Sequence, residues 1–145
     1  TIIPISISDK DHENNFKLTT TKKGGAISTF GSTITFDGSN IESVFEYKTI
    51  GMSLDSVLNQ FSLSQPNYIK IDVDGIEDLI LKGSEIALEN VKEILIELND
   101  NFETQIDFVT KFLIRKNFKL IEKHYSTEKH QGKTATVHNQ LWKKI

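Results

Sequence analysis

The sequence predicts an α/β fold, in which a sheet carries helices on both faces. From residue 54 onward, apolar spacing gives the order helix, strand, helix, strand, helix, strand, strand, and such alternation is typical of α/β sheets. The second of these strands, Val91 to Leu98, is apolar at most positions, as expected for a buried parallel strand. The last two strands have no helix between them, which favours an antiparallel pair. A chain of 145 residues supports one domain, residues 1–145.

The first part of the chain is rich in residues that favour strands. Residues 2–7 are predicted to form a strand, residues 8–15 a polar loop and residues 16–21 a short second strand. Asp37-Gly38 is a turn signal between two β-prone runs. We therefore interpret residues 16–52 as a hairpin-rich insertion within the single domain.

Helical spacing of apolar residues predicts three helices. The first begins at Leu54, with Ser53 as its N-cap. The second covers residues 76–89, with Gly83 as a weak point, and the third is amphipathic and ends near Asn117. The remaining strands are predicted at residues 68–73, 118–125 and 134–143, with a polar loop at 126–133.

Composition argues against several classes of function. The formal net charge is -3, and Arg115 is the single arginine, which is unlike a protein that coats nucleic acid. The chain has no cysteine, so it offers no disulfide, no thiolate zinc site and no cysteine nucleophile. No apolar run approaches the ~20 residues that span a bilayer. We expect a cytoplasmic protein with no nucleic-acid partner and no membrane span.

Charged side chains collect at the carboxyl end of the strand that follows the first helix. Strand alternation places Lys70, Asp72 and Asp74 on one face, just before a turn at Gly75, and ligands of open α/β sheets bind beyond the carboxyl ends of strands. Each residue also has a structural explanation, as a turn, an ion pair or, for Glu77, a helix-start acid. Together they predict a functional site.

Further polar residues extend this prediction. Glu97 ends the next strand and would share a crevice with Asp72 if the two strands are neighbours. Clustered carboxylates act as general bases or hold hard divalent cations, but no calcium-loop pattern starts at Asp72, and we expect no metal. His138 and Asn139, in the last strand, could line the pocket.

Common nucleotide and hydrolase motifs are absent from the sequence. It contains no P-loop, no Gly-x-Gly-x-x-Gly and no Gly-x-Ser-x-Gly. Gly24-Gly25 follows two lysines but opens no predicted helix. The remaining histidines, His12, His124 and His130, are expected to be exposed to solvent.

Four segments carry a family resemblance. Ser53-Leu54-Asp55, Tyr68 to Glu77, Leu81-Lys82-Gly83 and Ile94 to Glu97 resemble, in that order, the motifs of the FkbM family of S-adenosylmethionine-dependent methyltransferases. The flanking segments Ile3 to Asp11 and Asn139 to Trp142 are similar to the third and closing strands of that family. The resemblance implies a Rossmann-like class I methyltransferase, a three-layer sandwich whose strands run in the order 3-2-1-4-5-7-6.

The same resemblance implies an activity and assigns roles. The chain would move a methyl group from S-adenosylmethionine to a hydroxyl of a small molecule or glycan. The implied catalytic residues are Asp72, Lys70 and Glu97. The implied cofactor contacts are Asp72, Asp74 and Gly75, and the implied acceptor contacts are Glu77, His138 and Asn139.

The chain departs from the family pattern at two points. Asp74 stands where glutamate is usual, and the first two strands of the family, with the glycine-rich turn that holds most of the cofactor, are not in this sequence. Strand four would then expose a bare edge. Three explanations are open: part of the protein lies outside this sequence, a second copy covers the edge in a homo-oligomer, or the N-terminal strands re-pair into an unusual sheet. The competing functional hypothesis is a non-catalytic remnant or interaction module that keeps the scaffold without binding cofactor.

Overall fold

The computed structural model describes residues 2–25, 27–125 and 136–145. Within these residues the fold is mixed α/β, and its strands form two four-stranded sheets. The N-terminal sheet has the order β1-β4-β2-β3, and its strands are β1 (Ser6–Ser8), β2 (His12–Leu18), β3 (Ser28–Phe30) and β4 (Phe45–Ser53). The C-terminal sheet has the order β5-β6-β8-β7, and its strands are β5 (Tyr68–Ile71), β6 (Glu93–Asn99), β7 (Phe118–Tyr125) and β8 (Val137–Lys144).

The N-terminal sheet differs from the predicted strands. β1 begins at Ser6 rather than at residue 2, and it pairs in parallel with β4. The predicted loop at residues 8–15 is wrong in its second half, because β2 begins at His12 and pairs with β4 over its whole length. The hydrogen-bonding partner overrides the polar composition here, since strand preference depends more on neighbours than on the segment itself. The hairpins therefore begin before residue 16.

The first helix begins at the predicted residue, and the second begins one residue later than predicted and is shorter. α1 (Leu54–Gln60) has the predicted cap, with the Ser53 side chain accepting a hydrogen bond from the Ser56 N–H. α2 (Glu77–Lys82) ends at Gly83, and a single 3-10 turn follows at Ala87–Glu89. Gly83 packs against the backbone of β1, where an added Cβ would lie 2.1 Å from the Ser8 carbonyl oxygen. The missing side chain of Gly83 permits this close contact, at the point where the predicted helix over residues 76–89 is interrupted.

The C-terminal sheet has the predicted strand directions. β5 and β6 are parallel, and β8 is antiparallel to both β6 and β7. The order β5-β6-β8-β7 equals the 4-5-7-6 part of the order that the family resemblance implies. The predicted loop at 126–133, which includes His130, lies outside the described residues.

The prediction of helices on both faces of this sheet is wrong for the described part of the chain. α2 and α3 (Glu103–Arg115) pack against each other, and α3 contacts β6 and β7. The face of β6 that carries Ile94 and Ile96 is fully buried. On the opposite face Tyr68 is 64% exposed, so that side of the sheet has no helical layer among the described residues.

One edge of the C-terminal sheet faces the N-terminal sheet. Among the described strands β5 pairs only with β6, and its other edge borders a cavity between the two sheets. The N-terminal strands form a sheet of their own, and none of them pairs with β5 among the described residues. The explanation that part of the protein lies outside this sequence stays a prediction. Pairing of this edge with a second copy stays a prediction. No described helix combines the length and apolar character needed to cross a membrane, and the cytoplasmic location stays a prediction.

Candidate functional site

A cavity of about 730 Å³ lies between the two sheets, along the free edge of β5. Its walls are largely apolar, and they come from both halves of the molecule. The charged residues of its lining are Lys70, Asp72 and Asp74, which all lie on β5 or on the loop after it. Cavities of roughly 300–1,000 Å³ with a few polar groups are typical of small-molecule sites. The apolar lining residues include Ile3, Ile5, Phe16, Phe30, Ile69, Ile71, Val73, Ile76 and Ile80.

Lys70 and Asp72 form an ion pair at the mouth of this cavity. The Lys70 Nζ donates a hydrogen bond to the Asp72 Oδ2. The two side chains remain 58% and 44% exposed, and ion pairs at such exposure contribute only about 0–1 kcal/mol to stability. The hydrogen bond and the negative charge of Asp72 raise the pKa of Lys70, so the lysine stays cationic. The pair therefore places two opposite charges at the cavity without a strong structural role.

Glu97 lies beside this pair on the neighbouring strand. β5 and β6 are neighbours, as predicted, and Glu97 is opposite Asn139 in the β6–β8 register. The Asn139 side-chain amide donates to the Glu97 Oε2 at 3.4 Å. Burial raises the pKa of Glu97, and the negative charge of Asp72 raises it further. A carboxylate with a raised pKa is a better proton acceptor near neutral pH than an ordinary glutamate.

Asp74 and Gly75 are already engaged within the protein. The Ser28 N–H donates to the Asp74 Oδ2 at 2.8 Å, which joins the N-terminal sheet to the loop after β5. Gly75 has a φ of +101°, and an added Cβ would lie 2.6 Å from the Thr35 carbonyl oxygen. The structure thus gives both predicted cofactor residues a contact that holds the two halves of the molecule together.

Glu77, a predicted acceptor contact, is buried at the start of α2. Its side chain is 3% exposed, and the Gln105 amide donates to the Glu77 Oε2 at 2.8 Å. The Gly75 N–H donates to the other carboxylate oxygen at 3.5 Å. Burial raises the pKa of Glu77 to about 7, although both hydrogen bonds act to lower it. Its carboxylate is therefore bonded within the protein and does not line the cavity.

The structure separates His138 from Asn139. Consecutive strand residues point to opposite faces, so Asn139 meets Glu97 while His138 is fully buried on the face of Trp142. His138 contacts the Gln140 amide at 3.0 Å, and Gln140 accepts from the Trp142 indole N–H at 2.9 Å. Burial lowers the pKa of His138, which favours the neutral ring. His138 thus belongs to a buried polar network in the core.

Three residues that contact the site were not singled out from the sequence. Ser28 and Thr35 act through their backbone, which leaves no sequence signal. Gln105 is a polar residue on the buried face of α3, at helical spacing from Val109 and Phe112. A polar residue at such a position needs a buried hydrogen-bond partner, so the sequence did contain a signal for this contact. Among the described residues no group of three or more histidines and acids could hold a metal ion.

Comparison with known proteins gives one match. The model of the family described as "Methyltransferase FkbM domain" matches residues 1–120. No curated protein and no solved structure matches the chain. The matched region contains the cavity, the Lys70–Asp72 pair and Glu97, and it ends before His138 and Asn139.

Proposed function

We propose, since this chain belongs to the FkbM methyltransferase family, that it serves the S-adenosylmethionine-dependent methylation of a hydroxyl group on a small molecule or glycan. One observation carries the proposal. Lys70 and Asp72, at the carboxyl end of β5, line a cavity large enough for a ligand, and Glu97 lies beside Asp72 on the parallel strand β6. This is the position at which open α/β sheets bind their ligands.

The lining of the cavity fits such a cofactor in part. S-adenosylmethionine supplies an activated methyl group on a positively charged sulfonium. Carboxylates and apolar walls suit a ligand that combines positive charge with an apolar ring, and the cavity offers both. Of the three predicted cofactor residues, Asp72 and Asp74 line the cavity. Asp74 also accepts a hydrogen bond from the Ser28 N–H, and Gly75 packs against Thr35.

The chain's own residues would act on the acceptor hydroxyl. Asp72 accepts a hydrogen bond from that hydroxyl and so orients it, since transfer needs alignment of the reacting groups. Lys70 fixes the Asp72 carboxylate by its ion pair. Glu97 takes the proton that the hydroxyl releases, because burial and the negative charge of Asp72 raise the pKa of Glu97 and make it a better base near neutral pH.

A binding experiment tests the cofactor part of the proposal. Calorimetric titration with S-adenosylhomocysteine should give saturable binding in the micromolar range. Asp72→Asn should weaken this binding, whereas Asp107→Asn should not. Asp107 is a matched control because it is exposed and paired with a lysine, Lys111, away from the cavity. Equal affinity in both variants would remove Asp72 from the cofactor site.

A second function is supported by the contacts of Asp74 and Gly75. Asp74 bonds to β3 of the N-terminal sheet, and Gly75 packs against the segment around Thr35 that follows β3, so the motif can serve the scaffold alone. The chain would then be a non-catalytic interaction module that retains the family fold. Absence of any binding heat from a folded sample, together with an unchanged melting temperature in S-adenosylhomocysteine, would favour this function over methyl transfer.

A further inference from the structure

The loop that follows β5 is held by two hydrogen bonds and one close packing contact. Asp74 accepts from the Ser28 N–H of β3, and Gly75 packs on the backbone of Thr35. Gly75 also donates its own N–H to Glu77 at the start of α2. Asp72 stands between the end of β5 and this fixed loop, so its position depends on how firmly the loop is held.

Glu77 and Gln105 form the buried part of this arrangement. Each is 3% exposed, and they are joined by a 2.8 Å hydrogen bond from the Gln105 amide to the Glu77 carboxylate. A buried carboxylate is costly unless its oxygens accept hydrogen bonds. One carboxylate oxygen accepts a hydrogen bond from Gln105 of α3, and the other accepts one from the Gly75 N–H of the loop. The carboxylate is thus a bridge between a helix in the core and the loop after Asp72.

We propose that Glu77 and Gln105 are positioning residues that hold the loop after β5 and thereby keep Asp72 beside Glu97. The use of this arrangement in catalysis rests on the proposed function, but its geometry does not. Glu77 is buried and would hold the loop without touching a ligand. This role differs from the acceptor contact that the family resemblance implies for Glu77.

The pKa of Glu97 reports whether Asp72 stays in place. This pKa would not change if Glu77 and Gln105 only stabilised the fold. The negative charge of Asp72 is one of the causes that raise the pKa of Glu97. If the loop loosens and Asp72 moves away, the pKa of Glu97 should fall towards its ordinary value. It should not reach that value, because burial of Glu97 still raises its pKa. A residue that only stabilised the fold would leave this titration unchanged in a folded variant.

Nuclear magnetic resonance can measure both ends of this arrangement. Hydrogen exchange reports the protection of the Gly75 amide, and the carboxyl carbon of Glu97 reports its titration. The test variants are Glu77→Leu and Gln105→Leu, which remove the bridge at either end. Glu77→Gln keeps the shape and one acceptor oxygen, so it should rescue the contact with Gly75. Glu103→Gln is the matched control, because Glu103 is an exposed glutamate in the first turn of α3.

The expected result is a loss of Gly75 protection of roughly tenfold in both leucine variants, as for the loss of a buried hydrogen bond. The pKa of Glu97 should fall in the same two variants and stay as in the wild type in Glu77→Gln and Glu103→Gln. An unchanged Glu97 titration in a folded leucine variant would overturn the proposal. If neither leucine variant folds, hydrogen exchange of the wild-type protein tests the proposal. A wild-type Gly75 amide that exchanges as fast as an exposed amide would also overturn the proposal. Neither readout needs cofactor or acceptor, so a failure of the proposed methyl transfer leaves the test valid.

Discussion

Replacing Glu77 by glutamine should remove a pH dependence of stability. Burial raises the pKa of Glu77 from 4.5 to about 7 in the folded protein, so the folded state holds its proton more tightly than the unfolded chain does. The stabilisation from this proton is complete below pH 4.5 and is lost as the pH rises to about 7. Each unit of pKa corresponds to about 1.4 kcal/mol, so the loss over this window amounts to about 3 kcal/mol. Glutamine does not titrate and should not show it.

The neighbours of Glu77 support this direction. Its partner from α3, Gln105, is uncharged, and its partner from the loop is the Gly75 N–H. The charged residue that acts on it is Asp78, whose negative charge also raises the pKa of Glu77. Desolvation is the largest cause, so the shift should survive Asp78→Asn in reduced form.

Urea unfolding at several pH values measures the effect. Fluorescence of Trp142, the single tryptophan, follows unfolding because its side chain is 2% exposed in the folded state. Between pH 4.5 and pH 8 the free energy of unfolding of the wild type should fall relative to Glu77→Gln by about 3 kcal/mol. The exposed control Glu103→Gln should follow the wild type. Parallel curves for the wild type and Glu77→Gln would refute the reasoning, because they would show an ordinary pKa for Glu77.

Three other predictions concern the cavity and the core. If the proposed activity is present, Asp72→Asn should lower turnover at least ~tenfold with an unchanged melting temperature; unchanged turnover would exclude Asp72 from the mechanism. Ile96→Ala should cost about 2–5 kcal/mol in urea unfolding, because Ile96 is fully buried; a loss below ~1 kcal/mol would mean that the site collapses freely. Gly75→Ala should destabilise the fold through its positive φ and its contact with Thr35, and a variant as stable as the wild type would show that the two halves are not packed at this point.

Local periodicity was sufficient to place α1 and the strands of the C-terminal sheet, but not the end of α2. The clearest cases are β6 and β8, whose residues alternate between buried and less buried positions. The strand order needed the family resemblance, since periodicity does not say which strands are neighbours. The N-terminal sheet was harder to predict, because β2 is held by pairing with β4 and not by an alternating pattern of its own.

The site was predictable as a cluster but not as a set of roles. The sequence places Asp72 and Glu97 at the ends of neighbouring strands. In the structure β5 and β6 are neighbours, Asp72 directly follows β5, and Glu97 lies two residues before the end of β6. The partners of Asp74 and Gly75 lie more than thirty residues away in sequence, and nothing near them in the chain indicates such contacts. The alternation of faces along β8 should have separated His138 from Asn139, since one strand cannot present two consecutive side chains to one pocket.

Three acids within one short motif have different environments, and the environment decides what each can do. Asp72 is 44% exposed and lines the cavity, Asp74 accepts a backbone hydrogen bond from the N-terminal sheet, and Glu77 is buried against α3. A ligand can reach the Asp72 carboxylate without breaking a bond between elements, whereas recruiting Glu77 would leave a buried donor, the Gln105 amide, unpaired, at a cost of roughly 1–3 kcal/mol. Asp74 also lines the cavity, but its carboxylate is bonded to the Ser28 N–H of β3. Under the proposed function, the reactive part of the motif is therefore Asp72 with its neighbours Lys70 and Glu97. The other two acids serve it by keeping the loop in place.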